Sequence, residues 1–312
     1  VNKQFYSKDF IQTAEGLVFA VVDNHLEQGK VLCFLRYQQQ ASKWVKLATN
    51  AANQLLKKNY PHYLFYSEEK SAQLHGVSVE DITQYYQPKP CLQAILSLEK
   101  PDIIQQDLVF LCELLARQGI QCSQLGITGS LIIGAQKSSS DIDLLVYDRA
   151  LFHQLRSLIK QLIKDNQLQA LDDKAWCDAY RRRSCDLSYD DYVWHEQRKF
   201  NKALINGRKF DLSLVEQASA NTQETYQKQR KMKVQAKVIN AHYAFDYPAR
   251  FIIDHPDMTE VVCFTATYTG QAELGEQIEV SGMLEVSNSG INRLIVGSSR
   301  EAAGEYIKVI RV

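Results

Sequence analysis

Gly126-Ile127-Thr128-Gly129-Ser130 and Asp141-Ile142-Asp143-Leu144-Leu145-Val146 are separated by ten residues, and Phe210-Asp211-Leu212 follows further along the chain. On a strand, residues two apart project to the same side, so Asp141 and Asp143 point together while Ile142 and Leu144 face a core. Two carboxylates on one face repel each other, which is costly unless a cation sits between them. Mg²⁺ takes oxygen ligands of this kind, usually with substrate phosphates completing its shell. In a two-metal site the ions stand roughly 3.5–4 Å apart and clamp the attacking and leaving oxygens of an in-line displacement. Gly129-Ser130 closes a strand and opens a helical turn. Glycine lets a ligand approach the backbone, the N–H groups at a helix start bind phosphate, and the Ser130 hydroxyl adds a donor. Asp211, flanked by Phe210 and Leu212, is placed to be a third ligand or a general base.

Each signal alone has an ordinary explanation. An isolated Asp-x-Asp is usually a solvated strand edge, and an isolated Gly-Ser is usually a turn. Their order and spacing, with a third Asp between apolar neighbours, make the functional reading the better one. Lys137 and Ser138 to Ser140 fill the loop before Asp141, from which Lys137 can reach a phosphate. His195, Arg198, Lys199 and Lys202 fall at i, i+3, i+4 and i+7, the spacing of one basic helix face. That face is either solvated or offers Arg198 or Lys199 to a triphosphate or an acceptor phosphate. Arg181-Arg182-Arg183 and Lys228, Arg230, Lys231 and Lys233 read as solvated, and are the strongest candidates for touching a nucleic-acid acceptor. Trp176 and Trp194 read as packing residues, and the histidines show no metal-ligand spacing.

The elements that must position these groups fall into three stretches. Residues 1–91 read as a mixed α/β domain: a hairpin joins residues 16–22 to 31–37 through Gln28-Gly29, a helix covers 48–58, and a strand covers 62–67. Pro88 and Pro90 mark a candidate boundary. Residues 92–225 read as an α/β core. Leu108, Leu111, Cys112 and Leu115 lie on one helix face, Gly119 stops that helix, and a second amphipathic helix spans 149–166. Ser188 and Asp191 read as a capping box opening a helix to about Lys202. Asn206-Gly207 suits the type I′ turn of a hairpin ending in the Asp211 strand. Residues 226–312 carry five strand-like runs, which suggest a small barrel or sandwich with an OB-like barrel as one option. Gly297-Ser298-Ser299-Arg300-Glu301 reads as a hairpin tip, or as an element that closes over substrate. The fold class expected is therefore α+β.

With 36 basic and 36 acidic residues among 312, the chain has no excess charge with which to grip polyanions indiscriminately. Hydrophobic residues at 45% and charged residues at 23% are those of a folded globular protein. Seven cysteines at irregular spacing, with no C-x-x-C, signal neither a disulfide framework nor a zinc site. No apolar run reaches spanning length. The expectation is a soluble cytoplasmic protein with no membrane partner.

Hydrophobic–Gly–Ser, a gap of about ten, Asp–hydrophobic–Asp and a later hydrophobic–Asp–hydrophobic strand together resemble the DNA polymerase β-like nucleotidyltransferase superfamily. The likeness covers roughly residues 104–217, about a third of the chain. It implies a polymerase-β-like core in which Gly129 and Ser130 hold the nucleotide's phosphates. Asp141 and Asp143 would bind two Mg²⁺ or Mn²⁺ ions, and Asp211 would complete one metal site and help activate the acceptor. Asp9-Phe10-Ile11-Gln12-Thr13, Gly129 to Val146, Trp194-His195-Glu196 and Gly297 to Glu301 further resemble an uncharacterised group of predicted nucleotidyltransferases best known from archaea. The activity implied is transfer of an NMP from an NTP such as ATP to an RNA, protein or small-molecule acceptor, with release of pyrophosphate. The alternative is a non-catalytic nucleotide- or RNA-binding protein on the same fold.

Overall fold

The computed structural model describes residues 4–183, 185–215, 225–299 and 302–311. The chain is α+β and divides into two compact units, Val1–Phe152 with Leu204–Ser219 and His153–Ala203 with Ala220–Val312. Each of the three stretches read from the sequence carries one sheet.

The first sheet contains β1 (Phe10–Thr13), β2 (Leu17–Glu27), β3 (Lys30–Gln40), β4 (Lys43–Lys46), β5 (Leu64–Ser67), β6 (Ala72–Ser78) and β7 (Ile82–Tyr86). Its antiparallel order is β5-β6-β3-β2-β1-β7, with β4 on β3. The β2–β3 turn sits at Gln28 and Gly29, both at positive φ, as a tight hairpin with the native twist requires. Alternation sorts the side chains of β2. Leu17, Phe19 and Val21 pack with Ala52 and Leu56 of helix α1 (Thr49–Asn59) on one face. Val18 points to the other face, into a cluster with Phe10, Tyr37, Ile132 and Ile133.

Helix α2 (Pro88–Leu96) starts where the sequence suggested a boundary. Pro88 occupies its first turn, where a missing N–H costs nothing and the fixed φ is already helical. Helix α3 (Ile103–Arg117) opens with a reciprocal capping box between Asp102 and Gln105 and buries Leu108, Leu111, Cys112 and Leu115. Then come β8 (Leu125–Thr128), a 3₁₀ turn at Leu131–Ile133, β9 (Ile142–Val146), α4 (Arg149–Lys164), α5 (Asp173–Arg183), α6 (Tyr189–Gln197), β10 (Lys202–Ile205) and β11 (Arg208–Leu214). The sheet order is β10-β11-β9-β8, with β11 parallel and β8 antiparallel to β9. Asn206 and Gly207, both at positive φ, make the expected tight turn. Helix α6 corrects the sequence reading. It ends at Gln197, Phe200 turns to φ 49°, and Lys202 already belongs to β10, so no single helix face carries His195, Arg198, Lys199 and Lys202.

The third sheet has six strands where five were expected: β12 (Tyr226–Asn240), β13 (Ala249–Asp254), β14 (Glu260–Cys263), β15 (Gln277–Ser287), β16 (Asn292–Val296) and β17 (Tyr306–Val309). The additional strand is β13, whose Ala249, Phe251 and Ile253 alternate inward. Pairings run β12-β13-β14-β16-β15, β15 pairs again with β12, and β17 adds to β15. Among the described residues, β14 and β16 are the one parallel pair in this sheet. Among the described residues no helix is long and apolar enough to cross a membrane, and all seven cysteines are free thiols.

Candidate active site

Register across the central sheet brings the predicted carboxylates together. Asp143 of β9 pairs with Thr128 of β8 on one side and with Asp211 of β11 on the other. Paired residues share a face, so Thr128, Asp143 and Asp211 form one row, with Asp141 two residues along on the same side. The opposite face is apolar: Ile142, Leu144, Phe210 and Leu212 are buried. That burial makes the register costly to shift, because a one-residue slip would send every carboxylate into the core.

The Gly-Ser turn is shaped by its neighbour. Gly129 stands at φ 72°, and a Cβ there would collide with the Asp143 carboxylate. Only glycine satisfies both demands. Ser130 then takes helical angles and leads into the 3₁₀ turn. Ile132 and Ile133 plug that turn into the apolar face of the first sheet, beside Phe10, Val18 and Tyr37. Full burial of such side chains contributes roughly 1.5–3 kcal/mol each. The Thr128 hydroxyl donates to the Lys8 carbonyl at 3.0 Å, a second tie, to the turn that leads into β1.

The loop before Asp141 is held by Arg208. Its Nε donates to Asp107 of α3 at 2.7 Å, while Nη1 donates to the carbonyls of Ser138 and Ser140 at 2.9 and 2.8 Å. Asn206 donates to the other Asp107 oxygen at 2.9 Å. Lys137, by contrast, is exposed; its N–H donates to the Ser140 hydroxyl at 2.9 Å, which shapes the loop.

A cation stands within the row. The Lys209 ammonium lies 2.8 Å from Asp141 and 3.2 Å from Asp211. Burial, then the charge of Asp211, push the Asp143 carboxyl up to about 6; Lys209 and Lys8 oppose the rise, and Asp141 adds to it. The donor set is oxygen only, which suits a hard divalent cation. As the side chains stand, no group of three or more His, Cys, Asp and Glu among the described residues is drawn into a metal-ligand cluster. Lys209 lies between two of the carboxylates instead.

Compared with known proteins, the chain is 32% identical over 335 aligned residues to "Uncharacterized protein MJ1086" of Methanocaldococcus jannaschii, covering 97% of this chain and 98% of that protein. The chain belongs to the MJ1086 family. No family model and no solved structure matches it.

In this MJ1086-family chain, Arg198 and Lys199 lie in the other compact unit and are engaged there. Arg198 pairs with Glu276 at 2.6 Å and stacks over Trp194, its guanidinium 4.5 Å from the ring centroid. Lys199 is buried, paired with Glu196 and donating to the Thr267 carbonyl at 3.1 Å. His195 is buried as well: its Nδ1–H donates to the Asp191 carbonyl at 2.6 Å, and Nε2 accepts from the Val309 N–H at 3.0 Å. These residues pin α6 within its own unit. The Ser188 side chain caps α6 by accepting from the Asp191 N–H at 3.1 Å. At the hairpin tip, the N–H groups of Gly297 and Ser298 donate to Glu305 at 2.8 and 2.9 Å; Arg300 and Glu301 lie outside the described residues.

Sequence reasoning missed Lys209, Arg208 and Lys8. Lys209 had a signal: it stands two residues before Asp211 and so shares its face. Arg208 and Lys8 act across the fold and had none.

Proposed function

We propose that this protein is a metal-dependent nucleotidyltransferase, which transfers an NMP from an NTP to an acceptor and releases pyrophosphate. The observation that carries the reading is the row Thr128–Asp143–Asp211, with Asp141 on the same face and the Gly129-Ser130 turn pressed against Asp143. A purely structural sheet has no reason to gather three carboxylates on one partly open face. The two-metal chemistry of a polymerase-β-like core gives such a row a use.

On this reading Asp141, Asp143 and Asp211 hold Mg²⁺ or Mn²⁺, two ions in all. Ions held there would supply a lowered pKa for the acceptor and a counter-charge for the departing pyrophosphate. The chain's own parts do the positioning. The backbone N–H groups and hydroxyl at Gly129-Ser130 receive the phosphates, and Lys137 can reach them from its exposed loop. Asp211 would act on the acceptor oxygen. Arg208 keeps the Ser138–Ser140 loop, and so Asp141, in place. Free cysteines suit a cytoplasmic protein.

The third sheet supports a second role. Its pairings close a circuit of five strands, β12-β13-β14-β16-β15, with β14 parallel to β16. That favours a small barrel of OB-like order, a fold that binds single strands. Exposed Arg230, Lys231 and Lys237 along β12 offer charge for an RNA acceptor. The same feature favours the alternative, a non-catalytic RNA binder.

Labelled NTPs with Mg²⁺ or Mn²⁺ and a panel of RNA, protein and small-molecule acceptors separate the two. Label transfer that Asp141→Asn or Asp211→Asn reduces at least ~100-fold in correctly folded protein supports the enzyme. RNA binding without transfer, unaffected by either substitution, supports the binder.

A further inference from the structure

We infer that Lys209 is the resident cation of the carboxylate row: it holds Asp141 and Asp211 together while no divalent ion is bound, and gives up both contacts when one binds. This rests on the metal-dependent reading above and adds to it the event that opens the site.

Three observations lead here. First, the Lys209 ammonium bridges carboxylates on two different strands, Asp141 on the β9 side and Asp211 of β11. Second, the charges do not balance locally. Three carboxylates share this face, Lys209 contacts two of them, and the charges of Lys209 and Lys8 both act on Asp143. The row therefore keeps an acidic excess able to attract a divalent ion. Third, the ammonium and such an ion compete for the same oxygens. Lysine carries its charge on a flexible four-carbon stem and gains little from fixed geometry, so it can leave without disturbing β11. Its partial exposure, 13%, gives it somewhere to go. Without Lys209 the repulsion between the carboxylates would rise, which pushes the strand ends apart. Lys209 is thus a positioning residue that makes the apo site stable enough to wait for its ion.

Two sites that exclude each other are coupled reciprocally. Removing Lys209 is therefore expected to strengthen ion binding by about 10-fold. The test is Mn²⁺ titration at one fixed pH, followed by the EPR signal of free Mn²⁺, of the full-length wild type, Lys209→Met and Lys209→Arg. Lys209→Met is expected to bind Mn²⁺ about 10-fold tighter than wild type, and Lys209→Arg, which keeps a cation, to stay within about 3-fold. Equal or weaker binding by folded Lys209→Met overturns the inference but leaves the metal-dependent reading standing. If wild type and both variants fail to bind at millimolar Mn²⁺, the metal-dependent reading falls and this inference with it. Should Lys209→Met not fold, ¹⁵N-lysine NMR of the wild type decides, with Lys209→Arg assigning the signal. Movement of the Lys209 Nζ resonance in step with added Mg²⁺ supports displacement, and a resonance unchanged at saturating Mg²⁺ overturns it.

Discussion

Two charge clusters in this molecule are both built around lysine, and they differ in balance. In the unit containing α6, Glu196 is met by Lys199 and, at 2.6 Å, by Lys202, and all three side chains are at most 8% exposed. The two ammonium groups hold Glu196 well below the usual carboxylate range despite its burial. In the central sheet the ratio is reversed. Asp141 and Asp211 flank Lys209, with Asp143 in the same row, and the side chains of Asp141, Asp211 and Lys209 are 13–26% exposed. A closed cluster with an excess of cations is internally satisfied and serves the fold. An open cluster in which carboxylates outnumber the lysine beside them is where the proposed function would seat a further cation.

This contrast can be broken at several points. The largest effect is expected at Glu196→Gln, which leaves two lysines beside a neutral amide; losing one partner of a buried pair costs about 3–5 kcal/mol. Urea unfolding would measure it, and a loss under about 1 kcal/mol would mean the cluster is not structurally closed. Next comes pH. Burial holds His195 down to about 4, so it stays neutral in the fold. The unfolded chain binds the proton more readily, so stability is complete above pH 6.5 and drains away as pH falls toward 4, on the order of 3 kcal/mol. Urea midpoints across that window should show this slope in the wild type and lose it in His195→Gln.

Gly129→Ala is expected to cost about 2 kcal/mol, because alanine must adopt a positive φ while its methyl meets the Asp143 carboxylate. The same substitution at Gly207, also at positive φ but with open space around its Cβ position, is expected to cost about 1 kcal/mol less. Equal losses at the two glycines would show that the carboxylate does not crowd the turn. The smallest effect carries the opposite sign. Asp143→Asn removes one of three mutually repelling charges and is expected to raise stability by about 1 kcal/mol without added metal, read by the same urea midpoints. A clear loss would place Asp143 with the closed cluster rather than the open one.

Much of the site was legible because strand geometry is local. Alternation puts Asp141 and Asp143 on one face, Gly129-Ser130 announces a turn, and Asn206-Gly207 announces the hairpin that delivers Asp211. The third sheet was legible as a run of strands, although β13 was passed over. Where the reading failed, it extended a periodicity past its physical end. The i, i+3, i+4, i+7 pattern from His195 to Lys202 was genuine spacing, but the helix stops at Gln197. Burial of His195 and of Lys199 against Glu196 then ties the following residues into the unit. A surface pattern and a buried ion cluster look alike in one dimension, since both are made of charged residues.

By itself the sequence determined which residues share a face, where the chain can turn tightly and which segments carry apolar stripes. These follow from backbone stereochemistry and the two periods of regular structure, which neighbours in the chain impose on each other. Only the tertiary structure decided that Asp211 stands opposite Asp143, that Arg208 reaches the Ser138 and Ser140 carbonyls, and that Lys209 lies between two carboxylates. Those outcomes depend on strand register across some 70 residues of intervening chain. Register is chosen by how apolar faces fit together in the core, and no local spacing encodes it.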